Sequence, residues 1–329
     1  MIGLPAVFFT PETNWGFGGL GSLSFRFKGE NPESRPSQLQ LGVAYTLNKQ
    51  YLLFLPFELY RKDERYKYYG ELGYYLYTYE FSGIGNDKTN EIREIYEVKF
   101  PRLRLNALYL IKPKFYAGVR YWMDDFDIQK YDPEGALIAG TVPGSNGGFL
   151  SGAGLIFNYD NRNNIFYPDK GSFAELVLFR NGTILGSDFD YSKIILDAST
   201  FVKIKERHIL GFNWYSEFSF GEVPFNQMAL LGGPKKMRGN FEGRFRDNHL
   251  IAIQSEYRFP LFWRFGAVVF GGLGRIADDV EDFGFSDIQY SIGAGGRFLI
   301  DPKEKLHLRI DYGFGRKGSG FYFTFGEAF

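Results

Sequence analysis

Hydrophobic and polar residues alternate along most of this chain. Over 209–220, Leu210, Phe212, Trp214, Phe218 and Phe220 share one face, and Gly211, Asn213, Tyr215, Glu217 and Ser219 the other. Ile251, Ile253, Tyr257 and Phe259 likewise oppose Gln254, Glu256 and Arg258. Leu306, Leu308, Ile310, Tyr312 and Phe314 oppose Lys305, His307, Arg309, Asp311 and Gly313, and Phe115, Ala117, Val119, Tyr121 and Met123 oppose Lys114, Tyr116, Gly118, Arg120 and Trp122. A period of two marks strands with chemically different faces. A soluble sandwich and a membrane barrel both produce it, and two features separate them. The runs reach about 10 to 14 residues, where soluble strands usually have about 5–6 and a tilted strand needs about 9–11 to cross a bilayer. The polar faces mix charges with glycine and tyrosine, which suits a wet barrel interior.

Turns punctuate the pattern unevenly. Short ones are expected at 112–113, 205–207, 260–263 and 301–304, and long polar or glycine-rich connections at 81–90, 132–148, 181–188, 221–247 and 277–286. Short turns on one rim and long loops on the other is the asymmetry of outer-membrane barrels. Counting back from Phe329, strands fall near 319–329, 305–315, 288–300, 264–275, 249–259, 208–221, 189–204, 171–180, 149–160, 114–128, 94–111, 66–80, 51–61, 37–48, 15–28 and a short one at 4–10. Pro101 is expected to mark a bulge or a switch of alternation. The expected architecture is all-β: a transmembrane antiparallel β-barrel of about sixteen strands, one domain over 1–329, with both ends on the short-turn rim.

Composition narrows the chemistry. Among 329 residues, 38 basic and 38 acidic side chains cancel, leaving no basic excess for nucleic acid. Without cysteine there is no disulfide, thiolate metal site or cysteine nucleophile, and three scattered histidines (His208, His249, His307) do not suggest a metal centre. Aromatics make up 19% of the chain and glycine contributes 41 residues, a composition of strands and tight turns. No apolar run approaches the length of about 18 residues that marks a membrane helix. A mean hydropathy of −0.24 does not argue against a barrel, whose two faces average out. The first residues lack the basic and apolar regions of a secretory signal, so an exported chain is expected to start here in mature form, Met1 being an added start.

The chemical motifs that do occur are weak. Gly16-Phe-Gly-Gly-Leu-Gly21 and Gly313-Phe-Gly-Arg-Lys-Gly318 match a dinucleotide spacing, yet neither opens a helix after a strand, and both read as glycines facing a crowded interior. Asp124, Asp125 and Asp127 read as a solvated rim rather than a metal cluster. No nucleophile motif, phosphate loop or metalloprotease helix is present, so no enzyme activity, metal or cofactor is expected.

The connection 221–247 is more specific. It contains Leu231-Gly232-Gly233-Pro234-Lys235-Lys236-Met237-Arg238-Gly239-Asn240, and the strand after it reads Glu256-Tyr257-Arg258-Phe259-Pro260. Tyr159-Asp160-Asn161-Arg162 with Tyr167-Pro168-Asp169-Lys170-Gly171, Pro11 to Gly16, Phe81 to Asn86 and the terminal Phe321-Tyr322-Phe323-Thr324-Phe325-Gly326-Glu327-Ala328-Phe329 add to the pattern. Together these resemble the outer-membrane assembly superfamily that includes BamA, TamA and the surface-antigen barrels, as a short member without periplasmic repeats.

That resemblance implies a bacterial outer-membrane barrel whose sixth extracellular loop folds into the lumen. Its tip, Arg238-Gly239, would meet the inward acid Glu256, and Gly232, Gly233, Phe270, Gly272 and Gly274 would form the family barrel motif. Two departures stand out. Asn240 replaces the tip aromatic, and Phe270-Gly271-Gly272-Leu273-Gly274 lacks the family's second acid at Gly272. The loop would then rest on Glu256 alone or borrow another interior acid. Phe321, Phe323, Phe325 and Phe329 are expected on one face, with Phe325 and Phe329 as the terminal-strand recognition signal. Interior charges are expected from Arg102, Arg104, Arg120, Arg297, Lys305 and Arg309, balanced in part by Glu58, Glu217, Glu256 and Asp311. The implied role is protein insertion into, or translocation across, the outer membrane, through a weak seam at a short first strand. The alternative is a passive channel, or an anchor or carrier barrel for an upstream domain. Implied partners are outer-membrane lipid and lipopolysaccharide, unfolded outer-membrane proteins, and periplasmic or lipoprotein subunits.

Overall fold

The computed structural model describes residues 2–10, 14–86, 93–316 and 318–329. The strands, in chain order, are β1 (Ile2–Thr10), β2 (Asn14–Phe25), β3 (Ser37–Thr46), β4 (Tyr51–Arg61), β5 (Tyr66–Phe81) and β6 (Glu94–Lys112). There follow β7 (Phe115–Lys130), β8 (Gly148–Asp160), β9 (Gly171–Asn181), β10 (Tyr191–Lys205) and β11 (His208–Gly221). The next connection carries a two-stranded hairpin, β12 (Ala229–Leu231) and β13 (Phe245–Asp247), enclosing one helical turn, α1 (Gly233–Lys236). The chain returns through β14 (His249–Pro260), β15 (Phe265–Ala277), β16 (Gln289–Asp301), β17 (Leu306–Gly315) and β18 (Gly318–Phe325). All but β12 and β13 belong to one sixteen-stranded sheet in which neighbours in sequence are neighbours in space.

The two faces of this sheet invert the arrangement of a soluble protein. Buried side chains include Glu217, Gln254, Glu256, Arg258, Arg297, Arg309 and Asp311, while Phe212, Trp214, Ile253, Val269, Leu273, Tyr312, Phe321 and Phe323 are exposed. Apolar residues outward and charged residues inward is what a strand in lipid requires, because backbone and charge must both be satisfied away from hydrocarbon. The outward and inward sets match those expected from the alternation.

Elements far apart in the strand order also touch through the interior. The Arg258 Nη1 donates to the Pro168 carbonyl (3.2 Å), and the Asn86 amide to the Ile276 carbonyl (2.5 Å). Near the long-loop rim, β5 and β6 run to 16 and 19 residues. There Tyr75, Phe100 and Phe126 stack at 4.9 and 4.5 Å. Phe225, from the connection before β12, meets Phe81 and Tyr96 edge-on, at 5.3 Å from each.

Several expectations need correcting. β1 is not a short strand: it pairs with β2 along its whole length, from Ile2↔Ser22 to Thr10↔Asn14. Part of the first-hairpin motif, 11–13, lies outside the described residues. Pro101 keeps register opposite Tyr74, and the irregularities in β6 fall at Glu97/Val98 and Leu110/Lys112, where it pairs with β7. Lys305 stands in a short turn, 3.6 Å from Asp169, rather than on the inner wall. Asp124 is not a solvated rim residue but a buried acid paired with Arg102 (3.1 Å) and Arg104. The last strand stops at Phe325, because Gly326 adopts φ +76° and turns the chain inward.

Candidate functional site

The connection between β11 and β14 folds against the inner wall, and its glycines explain how. Gly232 (φ +117°) and Gly233 (φ +81°) occupy conformations that L side chains rarely adopt, and a side chain on Gly232 would strike the Phe241 carbonyl. They turn the chain into α1, whose carbonyls are held by the wall: Gln254 Nε2 donates to Lys235 O (2.6 Å) and Arg309 Nη2 to Pro234 O (3.3 Å). Leu231, Met237 and Phe245 pack with Leu250, Ala252 and Ile276 in a buried apolar cluster. Gly274 leaves room for Leu231 and Met237. Farther up, Arg246 Nη1 donates to Phe225 O (3.2 Å), and Gly85 N–H, in the Phe81 to Asn86 motif, donates to Arg246 O (2.9 Å).

At the tip, Arg238 is fully buried between two acids on different strands. Its Nη2 lies 2.7 Å from Glu256 Oε2 on β14, and its Nη1 2.6 Å from Asp311 Oδ2 on β17. The guanidinium also sits 3.7 Å from the centroid of Phe270 on β15, a cation–π contact made strong by the absence of water. Gly239 (φ +104°) lies against bare backbone at Gly313 and Phe314, and a side chain on either Gly239 or Gly313 would collide with the other segment. Gly239 N–H donates to Tyr322 Oη (2.9 Å), and the Tyr322 hydroxyl donates to Asn240 O (3.2 Å). Asn240 lies over Gly315, whose missing side chain leaves room for the Asn240 amide.

Each acid that Arg238 grips already holds a second arginine. Arg258 Nε reaches Glu256 Oε1 at 2.6 Å, and Arg297 Nη1 reaches Asp311 Oδ1 at 2.6 Å. Gly295 opposite has no side chain, which leaves the space that the Asp311 carboxylate fills. Arg297 Nε continues to Glu327, at 2.8 Å from Oε2, and Arg309 Nε lies 3.5 Å from Asp311. The side chains of four arginines thus surround three carboxylates with almost no exposure to solvent. Each arginine of the cluster has a carboxylate within 4 Å, which offsets part of the cost of burying it, while Arg238 Nε, Arg297 Nη2 and Arg309 Nη1 make no hydrogen bond among the described residues. Arginine suits the role because its planar fork reaches two carboxylates at once.

The sequence-derived set is therefore brought together, with additions. Arg238, Gly239, Glu256 and Phe270 meet at the tip, while Gly232, Gly233 and Gly274 shape the approach. Gly272 does not touch Arg238: a Cβ there would lie 3.1 Å from Gln254 Cγ and from the Ile253 carbonyl. The missing second acid is supplied by Asp311 instead. Sequence reasoning assigns no site role to Tyr322 or Glu327, although the alternation of Phe321, Phe323 and Phe325 leaves Tyr322 on the inner face. Phe325 is exposed as expected, but Phe329 does not share its face. It enters the interior and stacks on Phe201 of β10 with centroids 6.2 Å apart, its carbonyl 3.4 Å from Arg258 Nη2.

Comparison with known proteins bears on the fold. A crystal structure of BamA from Haemophilus ducreyi lacking POTRA domains 1-3 aligns with TM-score 0.60 at 14% identity, covering 98% of this chain and 68% of that one. CdiB from Escherichia coli aligns with TM-score 0.61 at 12% identity, over 98% of this chain and 60% of that one. CdiB from Acinetobacter baumannii gives TM-score 0.58 at 12% identity, over 97% and 58%. The chain thus spans about three fifths of either CdiB. No curated protein sequence matches it. The model of the Omp85 superfamily domain matches residues 31–329, and the chain belongs to that superfamily of bacterial outer-membrane barrels.

Proposed function

We propose that this barrel works in the insertion of proteins into the outer membrane, or their translocation across it, and does so without catalytic chemistry of its own. The observation that carries this reading is the buried Arg238 tip, fastened at once to Glu256 and Asp311. A pore for free diffusion gains nothing from an interior filled by a folded-back loop, whereas a scaffold that must keep its shape while its surroundings change does. Its substrates would be unfolded outer-membrane proteins, presented by periplasmic or lipoprotein partners, with outer-membrane lipid and lipopolysaccharide around it.

The test uses the full chain in liposomes, compared with a variant lacking residues 226–246. The intact barrel should pass almost no current and should speed the folding of an added unfolded barrel substrate relative to empty liposomes. The deletion should conduct. Equal conductance of the two, with no effect on substrate folding, would favour a passive channel. A closed barrel with no effect on folding would favour an anchor.

A further inference from the structure

The turn at 261–264, between β14 and β15, is chemically unlike its neighbours on the same rim. Turns between strands are usually built from small and polar residues. This one reads Leu261-Phe262-Trp263-Arg264, and its first three side chains are 55, 67 and 70% exposed. Trp263 takes φ +47°, a left-handed conformation that is costly for a bulky residue. The other described short turns on this rim put charged residues in that conformation: Lys62, Asp63 and Glu64, then Lys114, Arg207 and Lys305.

The exposed rings are not isolated. Phe262 lies 5.2 Å from Phe265, Phe265 5.0 Å from Phe298, and Trp263 5.9 Å from Phe298. Phe265 and Phe298 are register partners on the outer face of β15 and β16, and Phe265 shares that face with Val269 and Leu273. The lipid-facing band thus continues without a break into the turn. Arg264 follows, its guanidinium 5.4 Å from the Trp263 centroid, and it pairs with no carboxylate among the described residues.

We propose that this turn is a phospholipid site in the leaflet at the short-turn rim. Phe262 and Trp263 bed at the boundary between acyl chains and headgroups, where amphipathic rings are favoured. Arg264 takes the headgroup phosphate, which a planar guanidinium binds through two parallel hydrogen bonds. A net anionic lipid should be preferred over a zwitterionic one, since no ammonium then competes with the guanidinium.

The chain has no cysteine, so a single one can be labelled without interference. With an environment-sensitive fluorophore on Phe262→Cys, the full chain in bilayers should show blue-shifted emission, quenched by lipids brominated near the headgroup end. The same label on Lys114→Cys serves as the water-exposed reference. Quenching of the Phe262→Cys label by aqueous iodide instead would overturn the membrane placement. Headgroup binding is read separately and locally, as the quenching of the Phe262→Cys label by brominated phosphatidylglycerol relative to brominated phosphatidylcholine. A single arginine near the surface should give about fivefold selectivity, lost in Arg264→Gln and largely kept in Arg264→Lys. Unchanged selectivity in a folded Arg264→Gln variant would overturn the phosphate assignment.

Discussion

Two sets of arginines and carboxylates line the inner wall of this barrel, and they are put together differently. On β6 to β9, Arg102 pairs with Asp124 at 3.1 Å and Arg120 with Glu175 at 3.2 Å. Arg102 and Asp124 are direct register partners, so that pair joins strands already joined by their backbones. Arg102 and Arg104 keep 29 and 15% of their side-chain surface in solvent. On β14 to β18 the central cation comes from outside the wall. Arg238 bridges β14 and β17, which are separated in the sheet by β15 and β16, and it keeps no exposed surface. The same residue types thus stiffen the wall in one region and fasten a loop to it in the other. Only the second arrangement depends on a segment that is not itself a strand of the wall.

Among single substitutions, the largest effect should come from Arg238→Ala. It removes the one cation that, among the described residues, touches both Glu256 and Asp311, and breaking a buried pair costs about 3–5 kcal/mol. Because Arg258 and Arg297 remain to neutralise the acids, the lower end is expected. The loop should become accessible to protease around Met237, and the melting temperature of the detergent-solubilised barrel should fall.

Glu256→Gln and Asp311→Asn should each do less, about 1–3 kcal/mol, because each leaves Arg238 one charged partner. The sequence alone suggests that Glu256→Gln would suffice to loosen the loop; the second carboxylate makes the double variant the decisive one. Together they should exceed the sum of the singles, as expected when two groups share one partner. Strict additivity in loop accessibility would mean that the two acids act independently.

How much of this is legible without coordinates follows from the period of two. Alternation fixes which side of the sheet a residue faces, so the outward Phe212 and Trp214 and the inward Glu256, Arg258 and Asp311 can be assigned from their spacing. It does not say which strands meet across the interior. That Arg238 finds Asp311, 73 positions later, depends on the sheet order and its curvature. Asp124 misleads because its neighbours Asp125 and Asp127 suggest one charged run. Parity separates them, with Asp124 inside opposite Arg102 and the other two outside. The tail shows the reverse limit. Continuing β18 as a strand would place the Glu327 carboxylate in the row of Phe321, Phe323 and Phe325, and one turn at Gly326 brings it to Arg297 instead.

Gly272→Asp sharpens the comparison further. The family pattern suggests that an acid restored there would tighten the loop. Here, however, a Cβ would press on Gln254, whose amide holds Lys235 O at 2.6 Å. Overpacking of this kind costs about 1–3 kcal/mol, and we expect about 1 because Gln254 is partly able to move. Loop accessibility should rise slightly rather than fall. A tighter loop would show that Arg238 can also reach a carboxylate placed at this position.

The smallest effect is expected in the other region, from Arg102→Gln. Its guanidinium is partly hydrated, and Asp124 keeps Arg104 as a partner when it is lost. A partly exposed pair contributes about 0–1 kcal/mol, discounted further by salt. The β6–β7 ladder remains hydrogen-bonded on both sides of the substitution, so nothing is freed to move. Stability should therefore change by no more than about 1 kcal/mol, and protease accessibility at Met237 should match wild type. An Arg102→Gln barrel whose loop opened as far as that of Arg238→Ala would show that the two networks are coupled through the wall, and that the distinction between stiffening and fastening does not hold.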